Sequence, residues 1–311
     1  MKLRKFLFKV FLILAVVVGI WCLAAGYLYK KMNYKEVYAV SGEPLKAEGV
    51  TNILLIGNDS RTAGEDGRSD AMILLSISDK TKTIHMTSLL RDMYVDIPGY
   101  DGNRLNAAYS FGGAELLMET IEANFDVEVN RFVQVNFQAF ADVVDAVGGV
   151  NLEVTNEEVL LINGYLDEYN MLENRPHGTD YLATNLQGVI HLNGPQALAY
   201  CRNRYIGTDF GRTERQRKVL SAMVKRAPWV VAHIDKVPDV FENVTTNLSQ
   251  AEFTWLTAQV VKLAGYEMVQ GSIPQEGTYS NANIRGMSVL DVDFKANNQY
   301  IREKIYGQSA Q

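Results

Sequence analysis

The sequence predicts an α/β fold, a three-layer helix-sheet-helix sandwich around a central mixed sheet, preceded by one N-terminal transmembrane helix. Short apolar runs that suit buried strands are interleaved with longer segments of helical periodicity. At 311 residues and 47% hydrophobic content, the chain can bury a large core. Twenty uncharged, mostly apolar residues stand ahead of the first strand.

The apolar segment runs from Val10 to Tyr29, and as a helix it would span about 30 Å, the hydrocarbon core of a bilayer. The basic tail of residues 1–9 is expected to stay in the cytoplasm, which leaves the body outside. A cleaved signal peptide is the alternative, but the run is long and no A-x-A site follows. We expect a single-pass protein of the cell membrane, with a tether over 30–50 and one extracytoplasmic domain over 51–311.

Charge and cysteine content exclude two classes of protein. Beyond residue 35 the chain has 23 basic and 36 acidic residues, a formal charge of −13, which disfavours nucleic-acid binding. Cys22 and Cys201 cannot form a disulfide framework. Neighbouring arginines could activate Cys201 as a nucleophile, but a lone cysteine is more often a small buried apolar residue, and we expect burial here.

Three adjacent strands are predicted at the start of the domain. Thr51–Ile56 and Ala71–Ser78 are apolar runs, and Thr83–Ser88 alternates enough to pair with the second across a turn at Asp79–Lys82. The polar loop GNDSRTAGEDGRSD joins the first two strands. Both its ends border strands, which fixes them more firmly than its middle.

The middle of the chain alternates helix and strand. Gly113–Phe125 has helical spacing, Arg131–Phe137 alternates as a strand with one wet face, and Phe137–Val147 fits a second helix. Val150–Val154 resumes as a strand. Residues 155–192 are polar and irregular, and we expect a lid or rim loops there.

The last third opens with Asn193-Gly194-Pro195, which starts a helix because proline suits the first helical position. A GTDFG turn at Gly207–Gly211 follows. Thr213 and Gln216 have capping-box spacing for the next helix, which gives Gln216 a competing structural role. Three further elements are predicted: a helix over 250–264 and closing strands over Tyr266–Ile273 and Met287–Asp293.

Arginines are concentrated in the segment Ala199–Lys218. Five fall within sixteen residues: Arg202, Arg204, Arg212, Arg215 and Arg217. Because arginine is always charged and holds phosphate or carboxylate bidentately, several aimed at one place indicate a polyanionic ligand. A solvated basic helix face is the alternative. The GTDFG turn divides the set, so its two parts converge only if the chain folds back there.

Carboxylates accompany the arginines. Asp59 and Asp70 flank the polar loop and are candidate Mg²⁺ ligands together with substrate phosphate, although solvated turn aspartates are equally consistent with their spacing. Arg91-Asp92 ends the third strand as a charge pair, typical of a site or of a rim salt bridge. GxSxG, GxxxxGK[ST] and HExxH motifs are absent. Arginine with aspartate fits phosphoryl transfer, which needs cations and one proton-accepting carboxylate.

Six motifs, in order over about residues 50–230, resemble the LytR-CpsA-Psr family of cell-wall enzymes: NDSR…GRSDAMILLSI, LLRDMYVDIPG, RLNAAYSFGG, VDAVGGV, HLNGPQALAYCRNR and TDFGRTERQRK. The resemblance implies a membrane-anchored phosphotransferase of mainly Gram-positive bacteria. Such an enzyme takes an anionic glycopolymer, for example wall teichoic acid or capsule, from a polyprenyl pyrophosphate carrier and joins it to peptidoglycan through a phosphodiester. It also implies one helix-sheet-helix domain with a long apolar pocket for the lipid.

The resemblance implies roles for individual residues. The metal ligands for Mg²⁺, or alternatively Mn²⁺, fall on Asp59 and Asp70. The pyrophosphate-binding residues fall on Arg68, Arg91, Arg202, Arg204, Arg212 and Gln216. The acidic residue that activates the acceptor hydroxyl falls on Asp209, and we expect it to be catalytic together with Arg68, Arg91, Arg202 and Arg204. We expect no catalytic part for Cys201 and no accessory domain ahead of the membrane helix.

Two other functions stay open. A membrane-bound transcriptional attenuator is suggested by an older description of the family, but the −13 body and its expected position outside the membrane count against it. A lipid-pyrophosphate-binding scaffold or pyrophosphatase is the second, because hydrolysis is transfer to water through the same site.

Overall fold

The computed structural model describes residues 21–37, 49–58, 69–232 and 238–307. Its strands are β1 (Asn33–Tyr34), β2 (Val50–Asn58), β3 (Ser69–Ser78), β4 (Thr83–Leu89), β5 (Tyr94–Val95), β6 (Asn103–Arg104), β7 (Phe132–Val135), β8 (Val150–Val154), β9 (Gly188–Leu192), β10 (Val244–Thr246), β11 (Glu267–Ile273), β12 (Tyr279–Ile284) and β13 (Met287–Val292). Its helices are α1 (21–29), α2 (Leu105–Phe125), α3 (Phe137–Ala146), α4 (Asn156–Leu172), α5 (Gly194–Arg202), α6 (Asp209–Ala232), α7 (Gln250–Leu263) and α8 (Phe294–Tyr300), with a 3-10 helix over Pro238–Asn243 and a π-helical turn over Ile301–Ile305.

Seven strands form the central sheet in the order β1-β10-β7-β2-β3-β4-β11. The three predicted adjacent strands are confirmed: β2, β3 and β4 pair in antiparallel fashion. Strand β7 runs parallel to β2, and β11 runs parallel to β4. The sheet is therefore mixed, as predicted.

Both faces of the sheet carry helices, which is why β2 to β4 read as near-continuous apolar runs. On one face, Leu54 and Leu74 belong to a buried cluster with Leu117 of α2. On the other face, Ile73 and Met86 belong to a cluster completed by side chains of α6 and α7. The helix-sheet-helix layering that the sequence predicts is confirmed.

Residues 21–34 pack on the domain. Ala25 and Leu28 of α1 are buried in a cluster with Phe253 of α7. Strand β1 pairs in parallel with β10 at the sheet edge. Among the described residues, no helix is both long and apolar enough to cross a membrane. Most of the predicted transmembrane segment, residues 10–20, lies outside the described part of the chain.

The prediction of lid or rim loops over 155–192 is wrong. Helix α4 begins with a capping box between Thr155 and Glu158, and its buried face carries Val159, Ile162 and Leu166 at helical spacing. Strand β9 then pairs with β8 in a separate antiparallel ribbon. Many polar residues on the exposed face of α4 hide this periodicity in the sequence.

The predicted capping box at Thr213 and Gln216 is also wrong. Helix α6 begins four residues earlier, and the N–H of Arg212 already bonds to the carbonyl of Thr208 at 3.1 Å. The hydroxyl of Thr213 donates to the carbonyl of Phe210, within the helix. Gln216 therefore has no capping role, which removes its competing structural function.

Two smaller differences concern α2 and the closing strands. Helix α2 starts at Leu105, eight residues before the prediction, and is interrupted at Gly112 and Gly113 by non-helical dihedral angles. Gly113 has φ of +66°, a conformation that glycine adopts without strain. Of the two closing strands, β11 joins the central sheet, whereas β13 pairs with β12 in a hairpin of its own.

Candidate active site

A charged cluster lies where β3 begins and β4 ends, which antiparallel pairing places at one end of the sheet. Asp70 stands at the start of β3, and Arg91 follows β4. Arg91 Nη1 donates to Asp70 Oδ1 at 2.6 Å, and Arg204 Nη2 lies 3.3 Å from Asp70 Oδ2. Of the two arginines before the GTDFG turn, Arg204 therefore contacts Asp70.

The first turn of α6, which begins within the GTDFG segment, brings Asp209 and Arg212 to the same cluster. Asp209 opens this helix, and its Oδ2 lies 4.0 Å from Arg91 Nη2. Arg212 Nη1 lies 3.4 Å from Asp209 Oδ1. Arg91, Arg204 and Arg212 therefore converge with Asp70 and Asp209, as the sequence requires if the chain folds back. We call these five residues the anion centre.

Arg215 explains why the chain folds back. Its buried guanidinium donates from Nη2 to the carbonyl of Asn203 at 2.7 Å and to the carbonyl of Ile206 at 3.0 Å. It also lies 3.9 Å from Glu158 of α4. Arg215 satisfies the backbone of the turn and points away from the anion centre, so its role is structural.

Arg212 is the most enclosed cation of the anion centre, with 3% of its surface exposed. Its Nε and Nη1 make no hydrogen bond to the described residues, because the approach to Asp209 lacks hydrogen-bond geometry. Burial, followed by the charge of Arg91, lowers the pKa of Arg212. A buried guanidinium with free donors beside other cations is arranged to receive an anion.

Arg91 keeps its charge securely. Burial opposes the charged form, but the adjacent carboxylate of Asp70 outweighs it and raises the pKa of Arg91. Its Nε also lies 3.5 Å from Asp92 Oδ2. The guanidinium is therefore held between two carboxylates and remains cationic at every physiological pH.

Asp92 is a site residue to which the sequence assigned no role. Its carboxyl group lies near that of Asp209 and between Arg91 and Arg104, at 3.5 Å and 3.7 Å. Burial and the neighbouring Asp209 raise the pKa of Asp92 against the opposing effect of Arg91. Its position directly after Arg91 at a strand end was the available signal, and the structure shows both a salt bridge and proximity to Asp209.

Arg202 does not join the anion centre. Its Nη2 lies 3.3 Å from both carboxylate oxygens of Glu168 on α4. Its guanidinium also stacks over the rings of Phe137 at 4.7 Å and Tyr165 at 5.5 Å. Since the sequence predicted loops in place of α4, this competing partner could not be anticipated.

The sequence singles out four further residues: Asp59, Arg68, Cys201 and Gln216. Gln216 lies one helical turn after Arg212, and its Oε1 is buried without a hydrogen-bond partner among the described residues. Asp59 and Arg68 lie outside the described part of the chain. Cys201 is buried as expected, and burial raises the pKa of its thiol, which is unlike a nucleophile.

Asp70 has the chemistry of a Mg²⁺ ligand. It is a hard oxygen donor at the edge of the anion centre with 20% of its side chain exposed, and Mg²⁺ binds through one or two carboxylates, phosphate and water. No group of three or more His, Cys, Asp or Glu able to hold a metal occurs within the described residues. Of the two predicted metal ligands, Asp70 is the one that lies in the described part of the chain.

The apolar layer between the sheet and helices α6 and α7 is not fully buried. Leu55 and Leu75 remain partly exposed although they belong to central strands, and so do Leu220 and Val224 of α6. Helix α7 buries a single side chain, Phe253, in its described length. We call this partly exposed apolar surface the sheet groove. It leads toward the anion centre, because Arg212 and Gln216 lie one to two turns before Leu220 on α6.

A separate cavity of about 1000 Å³ lies between α6 and β8. Its lining includes Glu153, Glu158, Lys218 and Lys225. These charges make it a poor match for a lipid tail, and the sheet groove suits an apolar chain better.

Two curated relatives show what this chain is similar to. It is 32% identical over 299 residues to the polyisoprenyl-teichoic acid–peptidoglycan teichoic acid transferase TagU of Bacillus licheniformis, covering 89% of this chain and 90% of that protein. It is 34% identical over 256 residues to biofilm regulatory protein A of Streptococcus mutans, covering 78% of this chain and 59% of that protein.

Solved structures share the fold and family models match most of the chain. The structure of TagT bound to LI-WTA superposes with a TM-score of 0.66 at 26% identity, covering 87% of this chain and 98% of that one. The model of the LytR_cpsA_psr family matches residues 24–304. The resemblance carried by the six motifs is thereby confirmed, and the chain belongs to the LytR-CpsA-Psr family.

Proposed function

We propose that the protein transfers an anionic glycopolymer from a polyprenyl pyrophosphate carrier to peptidoglycan through a phosphodiester bond. The convergence of Arg91, Arg204 and Arg212 beside Asp209 is the observation that carries this proposal. Three cations around one position suit a pyrophosphate, and the adjacent carboxylate suits a proton acceptor. The name of the TagU relative and the LI-WTA bound to TagT support the substrate class.

The reaction proposed is an in-line displacement at phosphorus. Arg91, Arg204 and Arg212 neutralise the pyrophosphate oxygens and stabilise the charge that develops on them. Asp209 accepts the proton of the acceptor hydroxyl as its oxygen attacks the phosphorus next to the sugar. Mg²⁺ held by Asp70 and Asp59 would supply further neutralisation of phosphate charge. Polyprenyl phosphate leaves.

Arg68, Arg202 and Gln216 complete the proposed pyrophosphate set. Arg202 must exchange Glu168 for phosphate, since it pairs with Glu168 at 3.3 Å here. Gln216 would donate to the phosphate from its amide nitrogen, because an amide oxygen only accepts. Its Oε1 has no hydrogen-bond partner among the described residues.

The lipid and the membrane complete the proposal. The sheet groove would hold the polyprenyl chain, because it is apolar and leads to the anion centre. The apolar segment ahead of residue 21 would anchor the protein in the cell membrane with its domain outside, since residues 21–29 pack on the domain. This arrangement gives the site access to a carrier in the outer leaflet.

Hydrolysis and regulation are the competing functions. A pyrophosphatase would use the same cations with water as acceptor, and the name of the S. mutans relative keeps regulation in consideration. Assays of the full-length chain in detergent, with glycan-linked polyprenyl pyrophosphate, Mg²⁺ and peptidoglycan fragments, separate them. We expect a joined glycan–peptidoglycan product together with polyprenyl phosphate.

The control for this assay is Arg285→Ala, which removes an exposed arginine paired with Asp101. We expect Arg204→Ala to abolish the joined product and Arg285→Ala to leave it unchanged. Release of polyprenyl phosphate with no joined product would favour a pyrophosphatase. If neither product formed and a C-terminal reporter fusion proved cytoplasmic, the regulatory function would replace the proposed one.

A further inference from the structure

Arg217 differs from the other four arginines of the segment Ala199–Lys218. Each of the others has a carboxylate within 4.0 Å: Glu168 for Arg202, Asp70 for Arg204, Asp209 for Arg212 and Glu158 for Arg215. Arg217 has no carboxylate within that distance among the described residues. The chain therefore buries one cation of this set without a counter-ion.

The groups that Arg217 contacts directly are neutral, and Glu214 acts on its charge only from beyond ion-pair distance. Its Nη1 donates to the hydroxyl of Ser88 at 2.7 Å and approaches that of Thr213 at 3.4 Å. Its Nε has no hydrogen-bond partner within the described part of the chain, and the residue is 7% exposed. Burial lowers the pKa of Arg217. Burying a charge without a counter-ion at close range is unfavourable, so this position costs the folded protein stability.

Arg217 stands between the sheet groove and the anion centre. Leu220 and Val224, which line the groove, follow it on α6 by three and seven residues and so share its face. Its partner Ser88 lies on β4, three residues before Arg91. A ligand with its chain in the groove and its outer charge on Arg91 would place its inner charge beside Arg217.

We propose that Arg217 binds the phosphate attached to the polyprenyl chain. This inference rests on the proposed function and adds a cation for the leaving group. When the acceptor oxygen bonds to the sugar-side phosphorus, the bond from that phosphorus to the bridging oxygen breaks. The electron pair stays on the polyprenyl phosphate, where Arg217 neutralises it, and the hydroxyl proton passes to Asp209.

The test compares Arg217→Met with Arg302→Met in the full-length chain in detergent. Methionine has similar length and no charge. Arg302 is a half-exposed arginine paired with Asp126, away from the groove. Calorimetric titration with polyprenyl monophosphate measures the inner phosphate alone. We expect affinity about tenfold or more lower in Arg217→Met, since a charged hydrogen bond is lost, and unchanged affinity in Arg302→Met.

Thermal unfolding without ligand separates this role from a structural one. Removing an uncompensated buried charge should leave the melting temperature of Arg217→Met equal to or above that of wild type. A clear fall in melting temperature with unchanged lipid affinity would overturn the proposal. If Arg217→Met does not fold, the wild-type Arg217 Nε–H resonance, assigned with Arg217→Lys, must shift when polyprenyl monophosphate is added. A resonance that stays in place overturns it equally.

The two proposals fail differently. If the wild type binds neither polyprenyl monophosphate nor polyprenyl pyrophosphate, the proposed function fails and the role of Arg217 fails with it. If the wild type binds both and Arg217→Met binds monophosphate equally well, only the role of Arg217 is lost.

Discussion

Asp70 is bound through both of its carboxylate oxygens, with Arg91 Nη1 on Oδ1 at 2.6 Å and Arg204 Nη2 at 3.3 Å from Oδ2. In the absence of ligand, this aspartate is the counter-ion of the two arginines that we assign to the pyrophosphate. A Mg²⁺ ion on Asp70 would compete with these arginines and release them toward phosphate. Metal and pyrophosphate are therefore expected to bind cooperatively.

The first prediction tests this exchange with Asp70→Asn. Calorimetry should show that Mg²⁺ strengthens binding of polyprenyl pyrophosphate to the wild type, and that this effect is lost in the variant. Asp101→Asn, which alters an exposed aspartate near the surface, serves as the control and should keep the effect. An equal Mg²⁺ effect in Asp70→Asn and wild type would remove Asp70 from the metal site.

The second prediction separates binding from stability within the arginine set. Arg204→Ala should weaken pyrophosphate binding by about tenfold to a hundredfold, the loss of one charge-assisted contact, with little change in unfolding free energy. Arg215→Ala should lower the unfolding free energy by about 3 kcal/mol, because the carbonyls of Asn203 and Ile206 lose their buried donor. Lipid titration and urea denaturation of both variants provide the comparison. Reversed outcomes would exchange the two roles.

The third prediction follows from the raised pKa of Asp92. Burial and the neighbouring Asp209 raise the pKa of Asp92 above its ordinary value of 3.8. Ionisation of this carboxyl group therefore destabilises the folded protein. The unfolding free energy of the wild type therefore falls as the pH rises through the pKa of Asp92 in the folded state. The unfolding free energy of Asp92→Asn minus that of wild type should increase by on the order of 1 kcal/mol from acid to neutral pH.

Urea denaturation of Asp92→Asn and wild type at several pH values checks that gain. The sign matters more than the size, since Arg91 at 3.5 Å opposes the shift. A difference between variant and wild type that stays constant with pH, or that grows toward acid, would contradict the assignment.

The fourth prediction concerns α1. Leu28 is 7% exposed and Leu23 is 77% exposed on the same helix. In a fragment starting at residue 21, Leu28→Ala should lower the unfolding free energy by about 2 to 4 kcal/mol, as for other buried leucines. Leu23→Ala should change it by less than about 0.5 kcal/mol. Equal effects would show that α1 is not packed on the domain in solution.

Periodicity predicted the central strands because burial on both faces leaves an unmistakable apolar signal in β2 and β3. It missed α4, where Val159, Ile162 and Leu166 supply a narrow apolar stripe among many polar residues. Local capping rules gave contrasting results. Helix α5 begins after Asn193 as the proline predicted, while Thr213, the predicted cap, lies inside α6.

The candidate site was predicted by residue type more than by contact. Charge and order placed Arg91, Arg204 and Arg212 near one another, and the structure brings them together. What the sequence could not reveal is which partner each cation holds. Arg202 pairs with Glu168 and Arg215 with backbone carbonyls, and both partnerships depend on elements distant in the chain.

The attachment of residues 21–34 to the domain also bears on mechanics. Helix α1 packs against α7, and β1 pairs with β10 at the edge of the sheet. Two elements before residue 35 are therefore attached to the domain. If the apolar segment ahead of residue 21 crosses the membrane as we propose, rotation of the domain relative to the membrane would be restricted. The sheet groove would then be held at a fixed height and tilt above the lipid surface.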